Sequence, residues 1–374
     1  MSLEIKAVES KGGLKAFVKL PHKIFKGCAQ WVPPLTKEEI NTLDPSENPA
    51  YEDAEAKLFL AFKNGEPVGR IAGIISHAAN KKFHSRNARF GWFDSIEDYH
   101  VAESLFSAVK AWAEQRGMES LTGPHGFTNF DRQGMLIEGF EYPGTAHTIY
   151  NHPYYGDFVE RYGFVKDVDY VEIQSFAPEN GLDPRYLKIK ERIEQRSDIR
   201  LLKFKTKQEA VERGLELFRL LNQTYVHIYG VIPLNDNYIQ HLIKKFIAYI
   251  NLDLLCCTVD LSGRMVGFMV TMPSLTKAFK KANGKLFPFG WYHIMRGLKG
   301  GDCVDLLLVA VKEEYRKKGV AVLMLTSMVE KCLSMGVKRS ESGPMLENNG
   351  LVQSLHKYFP SLTHKRRRIH KIRF

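Results

Sequence analysis

Cysteine is scarce in this sequence. The five cysteines, Cys28, Cys256, Cys257, Cys303 and Cys332, are odd in number and contain no Cys-x-x-Cys pair. That pattern excludes a zinc ribbon and a disulfide framework, so no metal is expected. Cys256 and Cys257 lie in an apolar run and read as small core hydrophobes. A reducing, cytoplasmic compartment fits this usage. Long apolar runs are also missing: none reaches the roughly 18 residues of a membrane span. The opening residues, MSLEIKAVESKGG, lack the apolar core of a signal peptide. Acidic residues are in deficit, 42 Asp and Glu against 53 Lys and Arg, for a formal charge of +11. The surplus suits an anionic partner, whether nucleic acid, a phosphorylated cofactor or a membrane surface; a solvated basic exterior is the plainer account.

What is present is core material. Over 374 residues, 44% are hydrophobic and 25% charged, with 23 Phe and 16 Tyr. This is the balance of a folded globular protein, and the length predicts two domains. Ala177-Pro178-Glu179-Asn180-Gly181 breaks the pattern between them, giving domains 1–178 and 179–374. In the first, Asn64-Gly65 between two apolar runs predicts a hairpin. Leu105, Val109, Trp112 and Ala113 stand at helical spacing and predict a helix over 103–116. In the second, a helix is expected over 207–221, a hairpin around Ser262-Gly263, an apolar strand over 302–311 and a long helix over 313–335. Both halves run strand, helices, hairpin, long strand, helix, strand, short helix, strand, which predicts an approximate internal duplication. The last strand, 366–374, alternates Arg366, Arg368 and His370 with Arg367, Ile369 and Lys371. With both faces polar it is expected at an exposed edge, a place that would also suit nucleic acid.

The chemistry concentrates at one junction. Asp305-Leu306-Leu307-Leu308-Val309-Ala310-Val311 predicts a buried strand; Arg316-Lys317-Lys318-Gly319-Val320-Ala321 follows and opens a helix. A helix N-terminus presents free N–H groups and partial positive charge, and a glycine lets an anion approach the backbone. Three consecutive cations there are misplaced for an ordinary helix and suited to a polyanion such as a pyrophosphate. The Gly-Lys-Ser/Thr of a nucleoside-triphosphate loop is missing.

At Arg316-x-x-Gly319-x-Ala321 the sequence resembles the GCN5-related N-acetyltransferase (GNAT) superfamily, whose signature is a strand, Arg/Gln-x-x-Gly-x-Gly/Ala and a long helix. A second resemblance lies at Asn349, Leu355, His356, Tyr358 and Phe359, where the superfamily has an Asn, a Leu-Tyr pair and Gly-Phe. The likeness covers about 199–374. The first half resembles the same fold without the cofactor motif: Ile96-Glu97-Asp98-Tyr99-His100 precedes its helix, and two carboxylates repel a pyrophosphate. The resemblance implies a mixed α/β protein of two tandem GNAT-like domains, each a mostly antiparallel sheet flanked by helices. It also implies transfer of an acyl group from acetyl-CoA, or another acyl-CoA, directly to a small-molecule or peptide amine. Val309, Ala310 and Val311 would pair with the pantetheine arm, and Arg316, Lys317, Lys318, Gly319, Val320 and Ala321 would hold the pyrophosphate, with Asn349 beside them.

The general acid, usually Tyr, would be His356, with Tyr358 as neighbour; a half-exposed helix residue is the plain alternative for His356. Base candidates are Asp305, a lone carboxylate on the apolar central strand, and Glu341 on the next strand; for Asp305 the alternative is a solvated strand start. The loop 123–156 offers acceptor candidates Asn129, Tyr150, Asn151, Tyr154 and Tyr155, and is otherwise a structural cover for the sheet. An acyl-CoA-binding regulator without turnover is the competing function. Two packed halves are expected to stand as a monomer.

Overall fold

The structure, a computed structural model, describes residues 3–195 and 198–374. They form two compact units. The first holds residues 3–171, Thr276–Ile294 and His364–Phe374; the second holds Glu172–Leu275 and Met295–Thr363.

In the first unit, β1 (Leu3–Ala7), β2 (Ala54–Lys63), β3 (Glu66–Ser76), β4 (Asn87–Ser95) and β5 (Ser120–Gly123) follow one another across the sheet, with β6 (Met135–Glu138) nearby. The next strand, β7 (Val165–Phe176), gives residues 165–171 to this unit and 172–176 to the other. The β2–β3 turn has Asn64 at φ 54° and Gly65 at φ 79°, the two left-handed positions a two-residue hairpin turn requires. β4 and β5 are parallel, Asn87–Arg89 against residues 120–122, and α1 (Tyr99–Glu114) makes the crossover between them. Its buried face, Val101, Leu105, Phe106, Val109 and Trp112, lies on the sheet. Gly73 permits this: a Cβ there would stand 2.9 Å from the Trp112 ring. Each large side chain so buried contributes about 1.5–3 kcal/mol.

The second unit repeats the plan. After α2 (Pro184–Gln195) come β8 (Ile199–Leu202), α3 (Gly214–Tyr225), β9 (Leu255–Asp260), β10 (Met265–Pro273), α4 (Gly290–Leu298), whose residues 290–294 belong to the first unit, and β11 (Cys303–Val311). Then follow α5 (Val320–Ser334), β12 (Arg339–Ser342), β13 (Met345–Leu346) and β14 (Ser361–Arg373), whose residues 364–373 belong to the first unit. The sheet order is β7-β12-β11-β10-β9-β8. As in the first unit, one parallel pair, β11 with β12, is bridged by a helix, α5, whose Val320, Leu323, Met324 and Met328 bury against Val304, Val266 and Met269. The chain is thus a mixed α/β protein with mixed, largely antiparallel sheets flanked by helices.

Three local expectations need correction. The basic C-terminal strand is not an edge: within the first unit β14 lies between β5 and β7. Lys365, Arg367 and His370 are buried, Arg367 completely. Its guanidinium donates to the carbonyls of Gly134 and Ile149, and Arg368 forms a fork with Asp169 at 2.8 and 3.0 Å. The polar alternation that suggested solvent on both faces reflects buried partners on both, which leaves no open basic strand for nucleic acid. The helix expected over 207–221 breaks at Arg213, into Lys207–Glu212 and α3. The helix expected from Glu313 begins at Val320, and residues 313–318 form a 3₁₀ turn instead.

Candidate functional site

The junction singled out in the sequence lies where β11 loses a neighbour. β12 pairs with it only from Cys303 to Leu306, closing with the Gly343 N–H on the Leu306 carbonyl at 3.0 Å. On the other side the β10 register jumps from Val270↔Leu308 to Thr271↔Leu306, so Leu307 is an extra, bulged residue. From Leu307 onward β11 keeps only β10. The Lys312 N–H bonds the Val266 carbonyl, and antiparallel alternation then turns the peptide groups of Val309 and Val311 away from β10, toward the parted side.

One of those peptides is in use. The Tyr225 hydroxyl, at the end of α3, donates to the Val309 carbonyl at 2.9 Å, and the Val309 N–H points to the same oxygen at 3.4 Å. Burial, opposed by that N–H, pushes the phenol up to about 12. Sequence reasoning missed Tyr225. Its only signal was an aromatic residue ending an amphipathic helix, and core packing explains that equally well.

Beyond Val311 the chain makes the 3₁₀ turn Glu313–Lys318, passes Gly319 at φ 82° and enters α5. The first α-helical bond is Leu323 N–H to the Gly319 carbonyl, and no side chain caps this end. The N–H groups of Val320, Ala321 and Val322 therefore have no intrahelical acceptor. Arg316, Lys317 and Lys318 are exposed just ahead of it. Lys318 lies 3.9 Å from Asp198 and over the Tyr315 ring. Because these cations close a preceding turn rather than open the helix, their placement is not itself anomalous. Their significance is proximity to the uncapped N–H groups. Gly319 is held for two further reasons: its φ, and Ile193 of α2, whose Cδ1 would be 2.6 Å from a Cβ.

The candidate acid and bases fall on opposite sides of this sheet. Asp305 is buried and stands in register with Glu341 across the β11–β12 ladder; Glu341 in turn pairs with Gln174 of β7 and accepts its side-chain N–H at 2.6 Å. Cys303, two residues before Asp305, has its thiol pushed up to about 12, by burial first and then by Asp305. His356 shares a 2.8 Å hydrogen bond with Ser175, the residue after Gln174, so it meets the other face of β7. Burial pushes its imidazole down to about 4, leaving it neutral at physiological pH. Tyr358 is partly exposed and stacks edge-on against Tyr186 of α2, in a small recess with Leu182, Val322, Leu325, Thr326 and Phe359. Asn349 caps a short turn, accepting from the Val352 N–H at 3.4 Å.

The loop candidates lie in the first unit, and four of the five hydrogen-bond the protein's own backbone. Asn151 exchanges bonds with both backbone groups of Leu136. The Tyr150 hydroxyl donates to the Phe140 carbonyl, and Tyr154 donates to Ser95. Tyr155 is fully buried, its oxygen accepting from the Ser95 N–H beside the Arg70–Asp94 ion pair. Asn129 is partly exposed.

The equivalent junction of the first unit is closed. Asp98 caps α1, accepting from the His100 N–H at 3.1 Å and pairing with Lys63 at 2.8 Å. Where β4 passes β5, the chain fills the gap itself. The His125 N–H bonds the Phe90 carbonyl at 2.7 Å, Arg89 donates to the carbonyls of Gly126 and Phe127, and a Cβ on Gly91 would be 2.2 Å from the His125 carbonyl.

Residues 216–357 match the family described as Acetyltransferase (GNAT) family. Protein YghO of Escherichia coli (strain K12) is 25% identical over 368 residues, 97% of this chain and 93% of that protein. The bacterial ceramide synthase of Caulobacter vibrioides (strain NA1000 / CB15N) is 27% identical over 356 residues, 93% of this chain and 91% of that one. Among solved structures, a tandem GNAT protein from the clavulanic acid biosynthesis pathway superposes with a TM-score of 0.60 at 11% identity, covering 100% of this chain and 98% of the other.

Proposed function

We propose that this chain, whose residues 216–357 match the Acetyltransferase (GNAT) family, transfers a long acyl group from coenzyme A to the amine of a long-chain amino alcohol. The single observation carrying the acyl-CoA part is the junction at residues 306–322. There a strand with outward-turned peptides leads, through three cations, to an uncapped helix end. The outward-turned peptide of Val311 would pair with the pantetheine arm, and the N–H groups of Val320 to Val322, with Arg316 and Lys317, would hold the pyrophosphate. The Tyr225 hydroxyl supports the placement of the reacting carbonyl, since it is an oxygen facing the Val309 N–H, as a thioester oxygen would.

In the reaction the amine nitrogen attacks the thioester carbon, a C–N bond forms, the C–S bond breaks, and the proton lost by nitrogen passes to a carboxylate. Asp305 is the proposed acceptor of that proton, with Glu341 beside it as the alternative. His356 is not proposed as the acid: it is buried, neutral and bonded to Ser175. A thiol of pKa about 8.5 leaves readily without one. The acceptor class rests on the ceramide synthase relative, since a ceramide is the amide of a long-chain amino alcohol and a fatty acid.

The test is a thermal-shift series with acetyl-CoA and longer acyl-CoAs, followed by thiol release with a long-chain amino alcohol as acceptor. Stabilisation rising with acyl length, and thiol release that needs the amine, are expected. Stabilisation without amine-dependent release under any acceptor would leave a binding protein and overturn the enzymatic reading.

A further inference from the structure

Between Asp260 and Asp302 the sequence has no acidic residue, while Arg264, Lys277, Lys280, Lys281, Lys285, Arg296 and Lys299 fall inside that stretch. The same stretch carries α4 and the turn before it. α4 has two apolar sides. Gly290 and Ile294 are buried, as the inner side of a surface helix should be. Trp291, Tyr292 and Met295, on the outer side, are 50%, 49% and 55% exposed, and just ahead Phe287 and Phe289 are 79% and 69% exposed. Single exposed hydrophobics are ordinary, but five within nine residues form a patch that water does not favour. Lys281, Lys285, Arg296 and Lys299 are exposed around it.

We propose that this patch is a membrane-surface anchor that lies on anionic lipid headgroups and sinks Phe287, Phe289, Trp291 and Met295 into the interface. The composition is that of an interfacial helix, with bulky apolar residues on one side and Lys and Arg flanking them. The indole N–H already bonds the Pro288 carbonyl at 2.9 Å, which lowers the cost of removing Trp291 from water. Charge selects the occupant. A symmetric pair of these chains would bring two such patches together, each flanked by Lys281, Lys285, Arg296 and Lys299, and like charge opposes that. An anionic bilayer supplies both the apolar layer and the missing negative charge.

The anchor does not depend on the reaction proposed above, and its test uses neither acyl-CoA nor an amine. The whole chain is floated with vesicles of phosphatidylcholine alone or mixed with phosphatidylglycerol, lipids without a primary amine. Expected is flotation with the anionic vesicles only, a blue shift of tryptophan emission on binding, and release by salt. Reversing Lys285, Arg296 and Lys299 to Glu should lower partitioning at least a hundredfold, each cation being worth about fivefold. Phe287→Ser/Phe289→Ser/Trp291→Ser should abolish flotation and the blue shift while the melting temperature holds, since these side chains are exposed. Failure of the wild type to float, or flotation of both variants like the wild type, overturns the proposal. So does a self-association that the serine variant abolishes in a chain that never binds vesicles.

Discussion

Reversing the two free cations of the junction, Arg316→Glu/Lys317→Glu, measures how much of acyl-CoA binding is electrostatic. Both side chains are exposed and make no ion pair among the described residues, so folding has little stake in them. Gly319→Glu is a poorer probe: it forces φ 82° on a residue with a Cβ and drives that atom against Ile193, so lost binding would be confounded with lost structure. An exposed ion pair contributes about 0.5–1 kcal/mol. Reversal removes the attraction and adds a similar repulsion, so two positions shift binding by about 2–4 kcal/mol, a rise in Kd of roughly 30- to 1,000-fold. Titration calorimetry with CoA at two salt concentrations reads this directly. The screening length falls from about 10 Å at 0.1 M to about 3 Å at 1 M, so the gap between wild type and variant should narrow sharply. Equal affinities at low salt, or a gap that salt does not change, would refute the assignment of the pyrophosphate to this turn.

Other outcomes follow from the same geometry. Asp305→Asn should lower kcat about 10²- to 10⁴-fold and leave CoA affinity in place; a variant with wild-type turnover moves the base to Glu341. His356→Gln should leave the activity–pH profile unchanged, because the imidazole is neutral and turned to Ser175; loss of an acid limb would contradict this. Acid should destabilise the fold through buried imidazoles. His356 and His370 sit at about 4 when folded against 6.5 unfolded, so between those values the unfolded chain binds more protons. Their contribution is complete above pH 6.5 and is lost as pH falls toward 4, by about 2 kcal/mol each at pH 5. Denaturant melts of His370→Phe across pH 7 to 5 should show a flatter decline than wild type.

The junction was legible because its signal is local. Arg316-x-x-Gly319-x-Ala321 fixes a turn, a left-handed glycine and a helix start within six residues, and Asn64-Gly65 fixes a hairpin within two. Readings that depended on distant partners were harder. The alternation of Arg366, Arg367 and Arg368 said polar on both faces; whether the partner is water or Asp169, Gly134 and Ile149 is a matter of tertiary structure. The start of α5 was misjudged by a turn because helix propensity over 313–318 is good, and only Gly319 at positive φ separates the 3₁₀ turn from the helix. His356 stood at the right spacing for an acid, but spacing along one segment does not reveal which face of β7 that segment meets. The helix α2 went unread altogether. Its half-charged sequence buries Ile193 and sets Tyr186 beside Val322 and Leu325 of α5, too sparse an apolar stripe to be seen without its neighbour.

The two units make the same topology with opposite consequences, and the difference can be assigned to specific atoms. In the second, α5 begins uncapped, and β11 and β12 part after the Gly343 N–H bonds the Leu306 carbonyl. In the first, α1 carries Asp98 on its N-terminus, where a carboxylate does for the N–H groups what a phosphate would. The gap beside β4 is occupied by residues 124–127, with the His125 carbonyl packed onto Gly91. These closures are independent: one plugs the anion end, the other takes the place of an inserted strand. Removing one therefore should not open the site. Asp98→Ala is expected to cost about 1 kcal/mol through the lost cap, visible as a lower melting temperature. It should leave CoA binding at one equivalent per chain with unchanged affinity. A second equivalent, in either the wild type or this variant, would mean that the loop is no barrier, and that the first unit is a second cofactor domain rather than a closed copy.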